Sequence, residues 1–201
     1  GAKLLLVLVD LPYYWHHKME ILHNWRSAGV FYGGFVAALG VGVLYVRRNG
    51  LPLGKTADAV TPGLALGQAI GRIGCLSAGC CYGRPTASSW AITFVDPRAR
   101  DLTGVPLGVP LHPAQVYHGI ADLALFLLLV CCYGRKWADG VVFWIYVLLY
   151  AVLRFAIEFF RGDFRGEVFG GLLSTSQLIS VVASAAAVFL LFRLKRRHRP
   201  A

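Results

Sequence analysis

The segment VVFWIYVLLYAVLRFAIEFF, residues 141–160, decides the fold, because an apolar run of membrane-spanning length carries charges only near its end. A transmembrane α-helix needs about 20 predominantly apolar residues. Comparable runs occupy residues 28–46, 57–78, 116–132 and 172–194. The sequence therefore predicts an all-α, polytopic membrane bundle with about five full spans.

Composition supports the same fold class. The 201 residues are 57% hydrophobic and only 15% charged, with a mean hydropathy of +0.59, and soluble domains average about 25% charged residues. We predict one membrane-embedded domain over residues 1–201. A short apolar run at residues 4–9 is too short to span, and we interpret it as the end of a helix whose beginning is missing, so an N-terminal truncation is expected.

The formal net charge of +10 raises the question of nucleic-acid binding. The basic residues, however, concentrate in alternate loops, as the positive-inside rule predicts for a multi-pass protein. This distribution puts the C-terminus in the cytoplasm and segments 10–27, 80–115 and 161–171 on the outer side, and it leaves no charge that needs a nucleic-acid partner. The cytoplasmic set is Arg47, Arg48, Lys55, Arg135, Lys136, Arg193, Lys195, Arg196, Arg197 and Arg199.

Three charges on the fourth span share one helical face. Arg154, Glu158 and Arg161 follow each other at i, i+4 and i+7, and an arginine at mid-membrane costs roughly 2.5 to 3.5 kcal/mol on insertion scales. One interpretation is an Arg154 to Glu158 ion pair that pins two helices. The other is an anion site, because one carboxylate does not neutralise two guanidinium groups.

Arg72 is the expected second half of such an anion site. It lies in GRIGCLSAGCCYGRPT, residues 71–86, near the outer end of its span, at a depth comparable to that of Arg154. Two arginines facing one cavity at membrane level indicate the phosphate of a lipid head group. Gly74 and Gly83 are interpreted as space for that head group, and Arg84 is either part of the site or a solvated loop charge.

A third polar cluster is LHPAQVYHG, residues 111–119, at the start of the third span. His112, Gln115, Tyr117 and His118 lie on the same predicted outer side as Arg72. Either histidine is a candidate proton acceptor or a structural hydrogen-bonding residue. Tyr32, before the Gly33 and Gly34 pair, is either an interfacial aromatic residue or a site residue.

The cysteines of segment 71–86 suggest a metal or redox site at first sight. Cys80 and Cys81 are adjacent, and Cys75 lies five residues before Cys80, which differs from a C-x-x-C motif. A zinc site would need a further ligand, for which only His112 or His118 is available. We therefore predict no metal and no cofactor.

Five motifs in order resemble the prolipoprotein diacylglyceryl transferase family. They are GAKLLLVL, WRSAGVFYGG, GRIGCLSAGCCYGRPT, HPAQVY and RFAIEFFR, and they extend over nearly the whole chain. The resemblance implies a bacterial inner-membrane enzyme with a periplasm-facing cavity. Such an enzyme transfers the diacylglyceryl group of phosphatidylglycerol to the lipobox cysteine thiol of a preprolipoprotein, forming a thioether and releasing glycerol phosphate.

The same resemblance implies roles for individual residues. Arg72 matches the essential arginine of the family signature, and Tyr150, Arg154, Glu158 and Arg161 match the charged helix and the tyrosine before it. The predicted catalytic set is Tyr32, Arg72, His112 and Arg154. The predicted substrate-binding set is Arg72, Gly74, Cys75, Gly83, Gln115, Tyr117, Tyr150, Arg154, Glu158 and Arg161.

The chain also departs from the family pattern. Tyr32 replaces a histidine proposed to activate the thiol, Cys75 and Cys80 replace an asparagine and a glutamate, and His118 replaces a glutamate. The general base thus stays open among Tyr32, His112 and His118. The alternative function is that of a non-catalytic membrane lipid-binding paralogue that keeps the arginine pair, or of a divergent one that acts on another acceptor.

Overall fold

A computed structural model describes Val7, Tyr13 and residues 31–135, 137–163, 166–168 and 173–197. The chain divides into two compact units, Gly1–Thr56 and Ala57–Ala201. The motifs at residues 1–8 and 25–30 lie, apart from the backbone of Val7, outside the described residues.

The first unit contains helix α1, Phe31–Arg48, which ends in two arginines. Its apolar side chains are largely exposed in the described structure, as for Val36 at 65% and Val41 at 68%. After α1 the chain turns through Gly50, whose φ of 65° lies in the left-handed region. Helix α2, Leu53–Ala78, begins before the unit boundary and lies mainly in the second unit.

The second unit is built from α2 and three further long helices. These are α4, Ala114–Tyr133, α5, Val141–Glu158, and α6, Thr175–Arg197. Helix α5 packs against both α4 and α6. The core lies where α2, α4 and α5 meet, and it consists of Ala65, Leu125, Leu129, Val142 and Tyr146.

Three of the described helices are long and apolar enough to cross a membrane. They are α4, α5 and the Thr175–Arg196 part of α6. Their outward faces keep large apolar side chains exposed, among them Ile120 and Val152, as lipid contact requires. The protein is therefore a multi-pass helical membrane protein, and the count of five spans, which adds α1 and α2, stays a prediction.

Asp58 joins the start of α5 to the start of α2. Its buried carboxylate accepts hydrogen bonds from the backbone N–H groups of Gly140 and Phe143 at 2.7 and 2.8 Å. The first N–H groups of a helix have no partner within that helix, and the positive end of its dipole favours an anion. Asp58 therefore accepts the hydrogen bonds of two N–H groups at the start of α5. It holds the starts of α2 and α5 at the same end of the bundle.

The segment between α2 and α4 forms a small ordered region rather than a plain loop. It contains β1, Ile92–Thr93, helix α3, Pro97–Thr103, and β2, Pro110–Leu111. The strands pair antiparallel with Ile92 opposite Leu111. Asp96 caps α3 by accepting a hydrogen bond from the Arg98 N–H at 2.9 Å.

A second antiparallel pair follows α5, with β3 at Glu167–Val168 and β4 at Leu173–Ser174. The predicted helical membrane bundle is confirmed in its class, and these two short strand pairs are an addition that the sequence did not predict. Strands of two residues are too short to produce an alternating hydrophobic pattern. Their pairing depends on contacts between distant segments instead.

Three distant segments cross at Gly83. Its N–H donates to the His112 carbonyl at 3.1 Å, and the next N–H, from Arg84, donates to the Phe160 carbonyl at 2.9 Å. Residues 82–84, His112 and residues 160–162 thus meet at one end of the second unit. A Cβ at Gly83 would lie 2.6 Å from His112 Cβ and 2.8 Å from the Phe160 oxygen.

The interpretation of Gly83 as space for a head group is therefore wrong. Its empty side-chain position is filled by the backbone of neighbouring segments, and glycine is needed for their close approach. Gly74 differs, because a Cβ there would meet no heavy atom of the described structure within 4 Å. Gly74 remains a candidate for contact with substrate.

Candidate functional site

A groove of about 300 Å³ lies between α2 and α4. Its walls are mainly aliphatic side chains, and Arg72 and Gln115 are the polar members of the lining. Such walls suit the hydrocarbon chains of an amphiphile, with a charged group at one place to hold its polar part. The aliphatic walls include Leu66, Ile70, Ile73, Ile120 and Leu123.

Arg72 faces a carboxylate that was not among the predicted site residues. Its Nε lies 3.8 Å from Oδ2 of Asp122, and the two side chains are 17% and 1% exposed. Gly119 of α4 lets the helices approach, since a Cβ there would lie 3.5 Å from Arg72 Cβ. The charge of Arg154 also acts on Asp122, so Arg72, Asp122 and Arg154 form one electrostatic cluster.

The sequence contained a signal that could have identified Asp122 as a site residue. It is an acidic residue inside the apolar run 116–132, and ionisable residues within spanning segments face the bundle interior and mark functional sites. Among the described residues, its Oδ2 accepts no hydrogen bond. The negative charge of Asp122 acts on Arg72, but no short hydrogen bond from Asp122 fixes the guanidinium.

Glu158 holds Arg154 and also links α5 to α6. Arg154 Nη1 donates to Glu158 Oε2, forming the i, i+4 ion pair considered from the sequence. Ser174 and Ser176 donate to the other carboxylate oxygen, the first at 2.9 Å. Glu158 is therefore buried with its charge satisfied, and it fixes Arg154 relative to α6.

Arg161 is buried, with 2% of its side chain exposed. It makes two hydrogen bonds to Asp163, at 2.9 and 2.7 Å, and its Nε lies 3.8 Å from Glu158. Burial alone lowers the pKa of the Arg161 guanidinium, but its bonds to Asp163 and to the Cys81 side chain raise that pKa above the ordinary value.

The sequence-based count of one carboxylate for two guanidinium groups is therefore wrong. Asp163 neutralises Arg161, Glu158 neutralises Arg154, and Asp122 lies near Arg72. The missed partners come from a loop and from another helix, so helical spacing on α5 did not reveal them. Among these three pairs, that of Arg72 has the longest separation between nitrogen and oxygen, 3.8 Å, and its arginine side chain is the most exposed, at 17%.

Tyr150 lies one turn before Arg154 on α5. Its ring stacks on that of Tyr146, with centroids 5.7 Å apart and planes inclined by 23°. Tyr146 in turn donates its hydroxyl to Gln68 of α2 at 2.9 Å. The half-buried Tyr150 thus borders the core that links α2 to α5.

His112 and Tyr117 form a hydrogen-bonded pair with Trp90. The indole N–H of Trp90 donates to the Tyr117 oxygen at 2.8 Å, and that oxygen lies 3.1 Å from His112 Nδ1. Because an indole only donates, the single Tyr117 proton is available for His112 Nδ1. This assignment leaves the proton of a neutral His112 on Nε2.

The other predicted polar residues differ in their surroundings. Gln115 is 1% exposed, and its amide donates to the Cys80 carbonyl at 2.8 Å, so it supports the signature segment in addition to lining the groove. His118 is also buried, at 1% exposure. The Tyr32 side chain lies outside the described residues, and its backbone belongs to the first unit.

The three cysteines of the signature segment lie together. The sulfur atoms of Cys75, Cys80 and Cys81 are all within 4.8 Å of one another, whereas the lining of the groove includes none of them. Burial, with the neighbouring Cys81 and Cys75 sulfurs, raises the pKa of the Cys80 thiol to about 12. Sequence spacing alone did not predict this cluster.

These features define a multi-pass membrane protein with buried arginine and carboxylate pairs beside an apolar groove. The family model described as prolipoprotein diacylglyceryl transferase matches residues 1–193. The chain belongs to the prolipoprotein diacylglyceryl transferase family, which confirms the family resemblance of its motifs, and it is a transferase.

Curated relatives agree with this family assignment. A phosphatidylglycerol–prolipoprotein diacylglyceryl transferase 2 of Clostridium perfringens is 39% identical over 191 residues, covering 94% of this chain and 72% of the relative. A phosphatidylglycerol–prolipoprotein diacylglyceryl transferase of Clostridium tetani is 40% identical over 194 residues, covering 94% and 73%. One from Finegoldia magna is 34% identical over 198 residues, covering 98% and 74%.

Proposed function

We propose that this protein transfers the diacylglyceryl group of phosphatidylglycerol to the lipobox cysteine thiol of preprolipoproteins. Family membership supports the reaction, because the relatives are named for phosphatidylglycerol and prolipoprotein. The observation that carries the site is the partly exposed Arg72 side chain, which lines an apolar groove and lies beside the buried Asp122. The groove offers hydrocarbon contact and a cation at the same place.

The lipid's acyl chains would lie along the groove between α2 and α4, with the phosphate at Arg72. The 3.8 Å separation from Asp122 leaves the guanidinium able to donate to a phosphate oxygen. Arg154 adds positive potential from α5, and Glu158 holds it in position. Gly74, Cys75 and Tyr117 remain proposed substrate contacts, and so does Tyr150 next to the α5 charges.

In the proposed reaction the lipobox sulfur attacks the carbon of the diacylglyceryl group that is bonded to a phosphate oxygen. A carbon–sulfur bond forms, the bond from that carbon to the phosphate oxygen breaks, and glycerol phosphate leaves with the electron pair. Arg72 and Arg154 stabilise the charge that grows on the leaving phosphate. Arg161 and Glu158 act as positioning residues through their ion pairs.

The thiol must lose a proton during this reaction. Tyr32, His112 and His118 remain the candidate bases. His112 Nδ1 is engaged with Tyr117, so a role for that nitrogen requires the Tyr117 hydroxyl to turn away or to pass its proton on. Comparing the pH profiles of Tyr32→Phe, His112→Gln and His118→Gln tests these candidates, because loss of the base removes the corresponding acidic limb.

We propose a topology with five spans, an outward-facing site and a cytoplasmic C-terminus. The basic residues after α1, after α4 and at the end of α6 support this orientation. A fluorescent protein fused after residue 201 should fluoresce in the cytoplasm of a bacterial host. A phosphatase fused at the same position should remain inactive, and the reverse result would contradict the orientation.

The transfer itself is tested with purified protein in lipid nanodiscs. Phosphatidylglycerol and a lipobox peptide should yield a diacylglyceryl adduct on the peptide cysteine by mass spectrometry. A matched peptide with serine in place of that cysteine, and nanodiscs of phosphatidylcholine alone, should give no adduct. Bound phosphatidylglycerol without any adduct would favour the non-catalytic lipid-binding alternative.

A further inference from the structure

We propose that Cys75, Cys80 and Cys81 form a binding site for a divalent thiophilic metal ion such as Zn²⁺. The sulfur atoms of these residues lie within 4.8 Å of one another. Four-coordinate zinc binds thiolates at about 2.3 Å, which puts sulfurs in the same tetrahedron about 3.8 Å apart. Small side-chain rotations are therefore enough to bring all three sulfurs onto one ion.

The end of α2 creates this arrangement. Gly79, with φ of 74°, follows the last helical residue, and its N–H donates to the Leu76 carbonyl at 3.2 Å. The Cys80 N–H donates back to the Cys75 carbonyl at 3.1 Å. These two bonds are the Schellman pattern of a helix end. The pattern folds the chain back so that the Cys80 side chain returns to the level of Cys75.

Cys81 joins the cluster from a left-handed backbone conformation. Among the described residues, Cys81 is the non-glycine residue with a positive φ, which is 61°. Its side chain also bonds to the Arg161 side chain. The crossing at Gly83 anchors the chain two residues later. The third sulfur is therefore fixed by the tertiary structure, not by the end of α2 alone.

Charge balance selects a divalent ion. Binding displaces the three thiol protons to solvent and leaves three thiolates, so the site carries a net charge of −1 with a divalent ion and −2 with a monovalent ion. All three cysteines are partly buried, and excess charge is costly where the local dielectric constant is low. The Arg161 side chain bonds to Cys81 and adds a positive charge next to the three sulfurs. Zinc also accepts three protein ligands with a fourth position open.

The sulfurs are separate from the groove that is proposed for the lipid. Cys75 is shared with the proposed substrate contacts, so the metal site is tested by ion binding, which is measured without transfer activity. The cytoplasmic-end residue Cys131 provides a matched control, because it is exposed and lies at the far end of α4.

The experiment uses the whole chain purified in detergent under reducing conditions and stripped with a chelator. Titration with Zn²⁺ against a competing indicator should show a single equivalent bound. Titration with Cd²⁺ should produce the ultraviolet charge-transfer band of cadmium–thiolate bonds. Cys75→Ser, Cys80→Ser and Cys81→Ser should each weaken binding by at least about tenfold, and Cys131→Ser should leave it unchanged.

A second measurement uses the unmodified chain, in case a serine variant does not fold. Zn²⁺ should protect Cys75 and Cys81 from alkylation, as mapped by peptide mass spectrometry, while Cys131 stays reactive. Cys80 is not a readout here, because it is expected to react slowly without the ion as well. Absence of stoichiometric binding by the folded protein would overturn the proposal.

Discussion

Arg72 Nε and Asp122 Oδ2 are 3.8 Å apart, with the Asp122 side chain buried on α4 and the Arg72 side chain partly exposed beside the groove. This is an ion pair without a short hydrogen bond. A guanidinium held in this way keeps donors for a further anion.

Replacement of Arg72 by alanine should abolish most transfer. Loss of one donor to a developing charge typically costs 10²- to 10³-fold in rate, roughly 2.7 to 4 kcal/mol, and Arg154→Ala should have a comparable effect. Initial rates with phosphatidylglycerol and a lipobox peptide measure this loss. Arg98→Ala, at an exposed position on α3, is the matched control and should retain activity. Full activity in both site variants would refute the phosphate site.

Asp122→Asn should distinguish two effects of Asp122 on Arg72: how it orients the guanidinium, and how it weakens the attraction of the guanidinium for an anionic lipid. The amide keeps the shape of the carboxylate but removes its charge, so Arg72 attracts an anionic lipid more strongly and is oriented less well. We expect kcat to fall by about tenfold, which corresponds to about 1.4 kcal/mol, while the KM for phosphatidylglycerol stays equal or falls. The exposed Asp101→Asn is the control. A higher KM with unchanged kcat would contradict the proposed role of Asp122.

Asp58→Ala should destabilise the bundle without acting on the chemistry. It removes a buried carboxylate that caps α5 through Gly140 and Phe143, and loss of a helix cap costs about 0.5 to 2 kcal/mol. Thermal unfolding in detergent should show a lower midpoint for this variant. The exposed neighbour Asp139→Ala should unfold near the parent temperature. An unchanged midpoint for Asp58→Ala would show that the cap contributes little.

Gly83→Ala should be strongly destabilising, because its methyl group would overlap the backbone of the His112 and Phe160 segments. Overpacking of this kind costs roughly 1 to 3 kcal/mol. Gly134→Ala is the comparison, since Gly134 has φ of −73° and open space around it. The measurement is the unfolding midpoint of each variant in the same detergent. Equal unfolding midpoints would mean that the segments that cross at Gly83 accommodate the added methyl group at little cost in stability.

The Cys80 thiol should react slowly with iodoacetamide at pH 8 in the metal-free, reduced protein. Burial and the nearby Cys81 and Cys75 sulfurs raise its pKa to about 12, so the reactive thiolate is scarce, whereas an ordinary thiol has a pKa of about 8.5. Its alkylation rate should keep rising with pH well beyond the point where unfolded protein reaches its plateau. Peptide mass spectrometry gives the rate at each cysteine separately.

By linkage, the raised pKa of Cys80 also predicts the direction of a stability change. Above the ordinary thiol pKa the unfolded chain releases this proton while the folded chain retains it. The free energy of unfolding should therefore fall as the pH rises through this window. Cys80→Ser should reduce that slope, and an unchanged slope would contradict the shifted pKa.

Much of the architecture followed from the sequence. Runs of spanning length predicted a helical membrane protein, and α4, α5 and α6 lie within a few residues of the predicted spans. Five ordered motifs predicted the family, which the comparison confirms. These features are local, because membrane-spanning length and helical spacing depend on neighbouring residues only.

The tertiary structure decided the electrostatics of the site. Helical spacing placed Arg154 and Glu158 together, but the partners of Arg72 and Arg161 come from other segments, Asp122 on α4 and Asp163 after α5. A charge inside a membrane protein is compensated by whichever group the packing brings near. Sequence distance along one helix does not identify that group.

The signature segment shows both contributions. The sequence alone determined that Arg72 and three cysteines lie near the end of a helix, with glycines between them. Only the folded chain decided that Gly83 is filled by the backbone of His112 and Phe160 and that Cys75, Cys80 and Cys81 converge. The physical reason is that local propensity ends the helix, whereas long-range packing determines what fills the space around it.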